Sequence, residues 1–363
     1  MNKLGFGFLR LPKVGEDYDW EALNGMVDRF LELGGRYFDT CYTYLNGNSE
    51  RGIRRCLTER HPRHAYELAE KLPGYNCKSY EDCRTFFEEE QERCGVKDFD
   101  VYLLHWLNGK NYDIAEKLDE FRFLRELKAE GKAKRIGFSY HDSASLLDRI
   151  LTAHPEVDLV QLQLNYLDWE SGGIQSRLCY ETCVKHGKKV VVMEPIKGGT
   201  LATLPTQAET LLRSAHPDWT AAEWALRFVQ SLPQVEVCLS GMSALSQVEE
   251  NMREVEPLTE EETELLAQVR CIIESNTAVP CTGCRYCESH CSQKIPIPDY
   301  FKLYNELTRS PGDGWKIRPS YLQYAVGRGR ATDCMQCHSC EHHCPQSIKI
   351  ADMMLQVAKA LEG

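Results

Sequence analysis

The 363-residue sequence has no apolar run of the roughly 18 residues that a membrane-spanning helix needs, so no spanning helix and no membrane partner are expected. It has no block of Lys or Arg, and its 43 basic residues are outnumbered by 54 acidic ones, for a formal net charge of −11. A chain that negative is poorly suited to gripping phosphates, so nucleic acid is not an expected partner either. The first residues, MNKLGFGFLRLP, contain no apolar signal core and no cleavage site, and export is not expected. Apolar material is plentiful at 42%, enough for a large buried core. Cysteine is plentiful too. Seventeen thiols without an export signal point to metal or redox chemistry in the cytoplasm rather than to disulfides.

Eight of the seventeen lie in two runs near the C-terminus: Cys281-x2-Cys284-x2-Cys287-x3-Cys291 and Cys334-x2-Cys337-x2-Cys340-x3-Cys344-Pro345. Each member of the first run has its counterpart 53 residues later, and the offset continues through Gln293/Gln346, Ile295/Ile348 and Ile297/Ile350. A duplicated local structure explains such an offset. Three thiolates at x2 spacing wrap a loop around one face of a [4Fe–4S] cube, and the fourth is carried away to the neighbouring cluster. One cluster is therefore expected on Cys281, Cys284, Cys287 and Cys344, and a second on Cys334, Cys337, Cys340 and Cys291. Zinc would use C-x2-C pairs but gives no reason for the third x2 step and the x3 step, repeated. The first run ends Cys291-Ser292 where the second has Cys-Pro. Between and after the runs, Tyr300-Phe301-x2-Tyr304-x2-Leu307, the patch at Tyr321–Ala325 and the stretch Ile350–Leu361 have helical apolar spacing. Residues 271–363 thus resemble the alpha-helical type of two-cluster ferredoxin domain. His290, His338, His342 and His343 crowd the same loops and read as surface or supporting groups, because eight thiolates already fill the ligand positions.

The preceding 270 residues alternate short apolar runs with amphipathic stretches. Strands are expected at Leu4–Phe8, Arg36–Asp39, Tyr66–Lys71, Val101–His105, Arg135–Ser139, Leu159–Leu164, Lys189–Glu194 and Val235–Ser240. Eight beta-alpha units suit a closed α/β barrel, a (β/α)8 TIM barrel over residues 1–270, followed by the small helical iron–sulfur domain. Gly5-Phe6-Gly7-Phe8 lacks the third glycine of a dinucleotide fingerprint, which argues against an open doubly wound sheet.

Barrel chemistry sits at the C-terminal ends of strands, and reading those ends gives Asp39, Lys71, His105 and Ser139, with Tyr44 in the loop after the second strand. Tyrosine, with an ordinary pKa of about 10, is a slow proton donor at neutral pH. A nearby ammonium, Lys71, is expected to stabilise the phenolate and lower that pKa, with Asp39 holding the lysine charged. His105 is placed to donate to a carbonyl oxygen as charge develops on it. Cys41 reads as a small packing residue and Trp106 as a wall of the substrate pocket.

Phe38-Asp39-Thr40-x3-Tyr44-x2-Gly47-x-Ser49-Glu50 resembles the aldo-keto reductase motif, and Leu103-Leu104-His105, Ile136-Gly137-Phe138-Ser139, Gln161-x3-Asn165 and Ser240-Gly241-x9-Asn251 follow the family's later blocks in order. With its cysteine tail, the whole chain looks like the subgroup of bacterial and archaeal members that carry a two-[4Fe–4S] ferredoxin-like domain. The resemblance implies that Asp39, Tyr44, Lys71 and His105 are a catalytic tetrad. It also implies an NAD(P)H cofactor lying across the barrel mouth near Ser139, Gln161, Met193, Lys197, Gly241, Glu250 and Asn251. Three positions depart from the family's pattern. Met193 stands where an aromatic ring usually supports the nicotinamide, and Tyr140 stands where Asn usually follows the serine. The segment from Gly241 to Asn251 holds no Lys or Arg for a 2′-phosphate, which favours NADH over NADPH, with Arg253 just beyond it. Lys197-Gly198-Gly199 reads equally as a pyrophosphate contact or as a turn.

Three functional readings stay open. The first is reduction of a small-molecule carbonyl, or oxidation of an alcohol, with the clusters either structural or linked to a ferredoxin-like or other electron-transfer protein. The second is an electron-transfer enzyme whose clusters exchange electrons with the barrel site through the substrate or a flavin, since a barrel mouth can hold FMN without a sequence signature. The third is a non-catalytic binding or redox-sensing protein.

Overall fold

The structure, a computed structural model, describes residues 3–171, 174–309 and 314–363. Eight parallel strands close into a barrel: β1 Leu4–Gly7, β2 Tyr37–Asp39, β3 Glu67–Leu72, β4 Phe99–Leu107, β5 Ala133–Tyr140, β6 Leu159–Gln163, β7 Lys189–Met193 and β8 Val235–Gly241. Neighbours around the ring are neighbours in sequence, and β1 closes it by pairing with both β2 and β8. All eight expected strands are present, with ends displaced by a residue or two. The sequence reading missed a short antiparallel ribbon, Lys13–Val14 with Asp17–Tyr18, whose residues are too few to show a pattern.

The strands are buried on both faces, which is why they read as apolar runs instead of alternating ones. Toward the helices, Phe6 and Phe38 meet Phe30 of helix Trp20–Glu32, with Phe30 at 5.6 Å from Phe6 and 5.3 Å from Phe38 by ring centroids, and Phe8 packs on Phe6 and Phe38. That helix starts where the Asp19 side chain accepts from the Ala22 N–H, and it buries Leu23, Met26, Val27 and Phe30, the stripe expected at 3.6 residues per turn. On the other strand face, Tyr37, Ala69, Val101, Leu103, Leu159, Val191, Val237 and Leu239 form one apolar cluster. A strand returns to the same face every second residue. The next residues on that face are Asp39, Lys71, His105, Gln161, Met193 and Gly241, and Ser139 stands level with Gln161. An apolar layer therefore carries a polar layer at the strands' C-terminal ends.

The chain divides into two compact units, Met1–Pro195 with Glu223–Leu258, and Ile196–Ala222 with Thr259–Gly363. The first holds the whole barrel sheet. Helices Thr206–Ala215 and Glu260–Asn276 pack on each other and go with the second unit.

Within the second unit the duplication is visible in the backbone. Left-handed φ angles recur at Gly283 and Gln336, Arg285 and His338, and Lys294 and Ser347, each pair at the offset seen in the cysteines. Short 3-10 turns Glu288–His290 and Glu341–His343 match as well, and helices Ile297–Arg309 and Ile350–Leu361 follow the two runs. Tyr300, Phe301, Ile317, Tyr321, Met354, Val357 and Leu361 form its core with Cys287 and Cys340. His290 and His343, equivalent by the repeat, stack with ring centroids 3.3 Å apart.

Candidate functional site

The motif around Asp39 builds its own platform. The Thr40 and Ser49 hydroxyls lie 2.6 Å apart, and Ser49 Oγ donates to the Phe8 carbonyl at 2.9 Å, tying the loop after β2 to β1. Gly47 takes φ 79° between the 3-10 turn Tyr44–Gly47 and the following helix, a conformation that strains any residue with a Cβ. On this platform the Lys71 ammonium donates to Asp39 Oδ1 and to the Thr40 carbonyl, both at 2.7 Å. The pair is almost wholly buried, with side-chain exposures of 0% and 4%. Lys71 Nζ lies 5.2 Å from the centroid of the Tyr44 ring, and His105 meets that ring edge-on at 5.9 Å. The structure thus brings Asp39, Tyr44, Lys71 and His105 together.

Two further groups join them that sequence reasoning did not assign to the site. Cys41 Sγ lies 3.1 Å from His105 Nδ1, and the Tyr75 hydroxyl lies 3.4 Å from the same nitrogen. Tyr75 belongs to the loop after β3, and its ring also abuts Trp106 at 5.6 Å, which makes a wall of two aromatics beside His105. Trp106 holds φ 61° and donates its N–H to Ser139 Oγ at 2.7 Å. A left-handed tryptophan at a strand end is a costly conformation, held here by that bond and by Asn111 donating to the Trp106 carbonyl at 2.8 Å.

The proton affinities correct one expectation. Burial, followed by the charge of Asp39, holds the Tyr44 hydroxyl well above the ordinary tyrosine value, where Lys71 was expected to lower it. The ammonium faces the ring while donating to Asp39 and the Thr40 carbonyl, so it does not solvate the phenolic oxygen. Burial alone would also lower Lys71, but Asp39 overcomes that and keeps the amine charged. Burial and the neighbouring Lys71 push His105 well below its ordinary value, so its imidazole is neutral at pH 7.

Because side chains alternate along β3, Glu70 points away from Lys71 and into a buried acidic group with Glu50 and Glu90, all three fully buried. Glu50 pairs with Arg93 at 3.0 Å, Glu70 accepts from the Lys71 N–H at 2.9 Å, and Tyr102 donates to Glu90 at 2.5 Å. Burial raises all three carboxyls, Glu50 to about 7, and charge repulsion adds to the rise. Protons held more tightly in the folded state than in the unfolded one stabilise the protein below about pH 4.5, and that stability is lost as pH rises toward the folded values. Glu90→Gln keeps an acceptor for Tyr102 and removes one titratable carboxyl from the group. It is expected to raise barrel stability by on the order of 1 kcal/mol at pH 8 and by little at pH 5. Urea unfolding of both proteins at the two pH values, followed by tryptophan fluorescence, checks this.

The residues assigned to the nucleotide are spread more widely. Ser139, Gln161 and Met193 share the polar layer of the barrel, with Gln161 Nε2 3.8 Å from the Met193 sulfur. Gln161 Oε1 is buried with no hydrogen-bond partner among the described residues, an acceptor that suits a carboxamide N–H. Tyr140, where Asn was the usual residue, is buried and donates to the Ser143 carbonyl at 2.7 Å. After β8, Asn251 donates to Ser240 Oγ at 3.3 Å, and Glu250 lies on the same short helix, Leu245–Asn251. Arg10, in the loop after β1, runs alongside Gly241, its stem about 3.2 Å from where a Cβ would lie. Lys197 lies in the second unit, 1% exposed, and donates to Gln346 Oε1 at 2.8 Å. Gly198 at φ 64° sits so close to the Thr282 carbonyl that a side chain would overlap it. This loop therefore forms a turn seated on the first cysteine loop.

Among the described residues of the second unit, the eight clustered cysteines line two cavities. Cys281, Cys284, Cys287 and Cys344 line one, with Ile297, Phe301, Ile348 and Ile350 around them. Cys291, Cys334, Cys337 and Cys340 line the other. Each cavity thus takes three thiols from one run and the last thiol of the other. The Gly283 N–H points at Cys281 Sγ from 3.4 Å, as a loop that solvates cluster sulfur requires. Four converging thiols in an apolar wall fit a [4Fe–4S] cube. His290, His338, His342 and His343 accompany these loops, with His290 and His338 bordering the second cavity.

Comparison with known proteins follows the same division. Residues 3–270 match the aldo/keto reductase family, and residues 280–349 match the 4Fe-4S dicluster domain. A 9,11-endoperoxide prostaglandin H2 reductase of Trypanosoma cruzi is 27% identical over 197 residues, covering 53% of this chain and 64% of that protein. An aldo-keto reductase of a Mycobacterium species is 26% identical over 232 residues, 62% of this chain and 78% of the relative. Among solved structures, an aldo-keto reductase from Bacillus halodurans in its holo form superposes with a TM-score of 0.61 at 24% identity, over 74% of this chain and 91% of that one. One from Klebsiella pneumoniae, in complex with NADP and acetate, gives 0.60 at 22% identity over 75% and 91%. At such identities the superpositions establish the barrel fold, and no helix among the described residues is long and apolar enough to cross a membrane. The match over residues 3–270 makes this chain a member of the aldo/keto reductase family, extended by a 4Fe-4S dicluster domain.

Proposed function

We propose that this protein is a nicotinamide-dependent oxidoreductase that reduces a small-molecule carbonyl, or oxidises the corresponding alcohol, with Tyr44 moving the proton. The observation that carries this reading is the buried Asp39–Lys71 pair with its ammonium over the Tyr44 ring and His105 edge-on to it. Bound nicotinamide supplies hydride in the reductive direction and accepts it in the other. Tyr44, kept protonated by its surroundings, gives its proton to the carbonyl oxygen as that oxygen gains alkoxide character. Neutral His105 donates a hydrogen bond toward the same oxygen, and the Asp39–Lys71 pair fixes the ring of Tyr44 with the ammonium over its face. Trp106 and Tyr75 exclude water from one side. Ser139, Gln161 and Met193 hold the nicotinamide end, while Gly241, Glu250 and Asn251 receive the adenosine.

The lack of a cation from Gly241 to Asn251 favours NADH, and Arg10 beside Gly241 narrows that preference. Two [4Fe–4S] clusters are assigned to the two four-thiol cavities, where they serve an electron-transfer protein of the ferredoxin kind or hold the second unit together. The test is isotopic. With nicotinamide deuterated at C4 and a panel of sugar, polyol-derived and aromatic carbonyls, deuterium is expected at the carbinol carbon of the product. Turnover with deuterium lost to solvent contradicts direct transfer.

A further inference from the structure

We infer that Cys77, Cys83 and Glu120 form a zinc site that pins the loop bearing Tyr75. The three arrive from separate places in the barrel unit. Cys77 ends the short turn Gly74–Asn76 after β3, Cys83 lies in the first turns of helix Tyr80–Cys94, and Glu120 opens helix Glu120–Ala129. Their exposures are 8%, 0% and 2%. The two sulfurs are 3.9 Å apart, and all three ligand atoms lie within 4.8 Å of one another. A tetrahedral zinc with bonds of about 2.3 Å to sulfur sets its thiolates about 3.8 Å apart, so the sulfurs already stand at the required spacing.

Glu120 is the independent sign of a ligand. Its Oε1 is buried with no hydrogen-bond partner among the described residues, and no Lys or Arg pairs with its carboxylate there. An unpaired buried carboxylate is costly unless it is protonated or binds a cation. Residue 74 has been kept clear for it: a Cβ at Gly74 would overlap the carboxylate. Two sulfurs and one oxygen make a donor set of the borderline-soft kind zinc takes, with a fourth position left for water, and binding sends the thiol protons to solvent. The consequence reaches the candidate active site, because Tyr75 lies two residues before Cys77 and its hydroxyl is 3.4 Å from His105 Nδ1. A metal at Cys77 would fix the end of that loop.

The test uses the full chain with its clusters assembled anaerobically, incubated with Zn2+, desalted and analysed for zinc and iron together. About one zinc per chain is expected beside about eight irons. Glu120→Gln and Cys83→Ser are each expected to lose zinc at least about fivefold with iron unchanged. Parent protein with full iron and less than about 0.2 zinc overturns the site, as does zinc retained by both variants. Zinc seated in the cysteine runs would instead appear as an iron deficit and counts against the proposal. Should the variants fail to fold, crystals of the parent measured on both sides of the zinc edge decide it. An anomalous peak between the three side chains supports the site, and its absence leaves a protonated glutamic acid beside two thiols.

Discussion

Tyr44→Phe is expected to lose at least about 100-fold in kcat for carbonyl reduction, the lower end of what a positioned proton donor contributes, while iron content and nucleotide affinity stay at the parent level. The substitution removes one oxygen and leaves the ring against which Lys71 and His105 pack, so the Asp39–Lys71 pair should survive. The pH dependence carries a second part of the expectation. Burial holds the Tyr44 proton well above ordinary tyrosine, and burial keeps His105 neutral, so neither group titrates between about pH 7 and 9. The parent's reduction rate is therefore expected to be flat over that window. Steady-state kinetics across it, with iron assayed in both proteins, checks both parts. A variant that keeps parental kcat, or one that loses iron in step with activity, removes Tyr44 from its role or removes the separation of the two sites.

The second large effect concerns how the clusters are shared. Cys291→Ala and Cys337→Ala are expected to destroy the same cluster, and Cys344→Ala and Cys284→Ala the other, because each cavity draws its fourth thiol from the opposite run. Iron should fall from about eight to about four per chain in each variant. The cluster that remains distinguishes the pairs: after reduction, the EPR spectrum of Cys291→Ala should match Cys337→Ala and differ from Cys344→Ala. Ligation run by run predicts the opposite grouping, Cys291 with Cys284. Serine replacements extend the test if alanine collapses the whole unit, since an oxygen ligand retains the cluster and shifts its spectrum.

How far the sequence reaches is plain in particular residues. The barrel was legible because strands buried on both faces must be apolar throughout, and because the next inward position on each strand breaks that pattern with Asp39, Lys71, His105, Ser139 and Gln161. The duplicated cysteine runs announced a duplicated backbone, down to the left-handed turns. Their conformation was not legible: Gln336, His338 and Ser347 adopt it with side chains that give no hint of it. Nor was the proton affinity of Tyr44, since burial, its largest cause, and the approach of the Asp39 charge are both products of the folded packing. Tyr75 and Arg10 come to the site through closure of the barrel, a long-range event that spacing along the chain does not record, whereas Cys41 lies within the Asp39–Tyr44 motif and only its approach to His105 was not legible. The acidic group at Glu50, Glu70 and Glu90 escaped for the same reason.

In the proposed function, hydride moves directly at the barrel mouth and nucleotide alone does not load the clusters. Nicotinamide passes electrons in pairs and a [4Fe–4S] cluster takes one, so direct exchange between them needs a flavin or another splitting centre. The measurement is an anaerobic optical titration of the full chain, clusters assembled, with NADH and then NADPH, followed by addition of a carbonyl substrate. An unchanged iron–sulfur band and no flavin peaks are expected on adding nucleotide, then loss of the reduced-nicotinamide absorbance only when the carbonyl is present. Bleaching of the iron–sulfur band by nucleotide alone would contradict the proposed function, and would make the barrel site an entry point for electrons bound for the clusters.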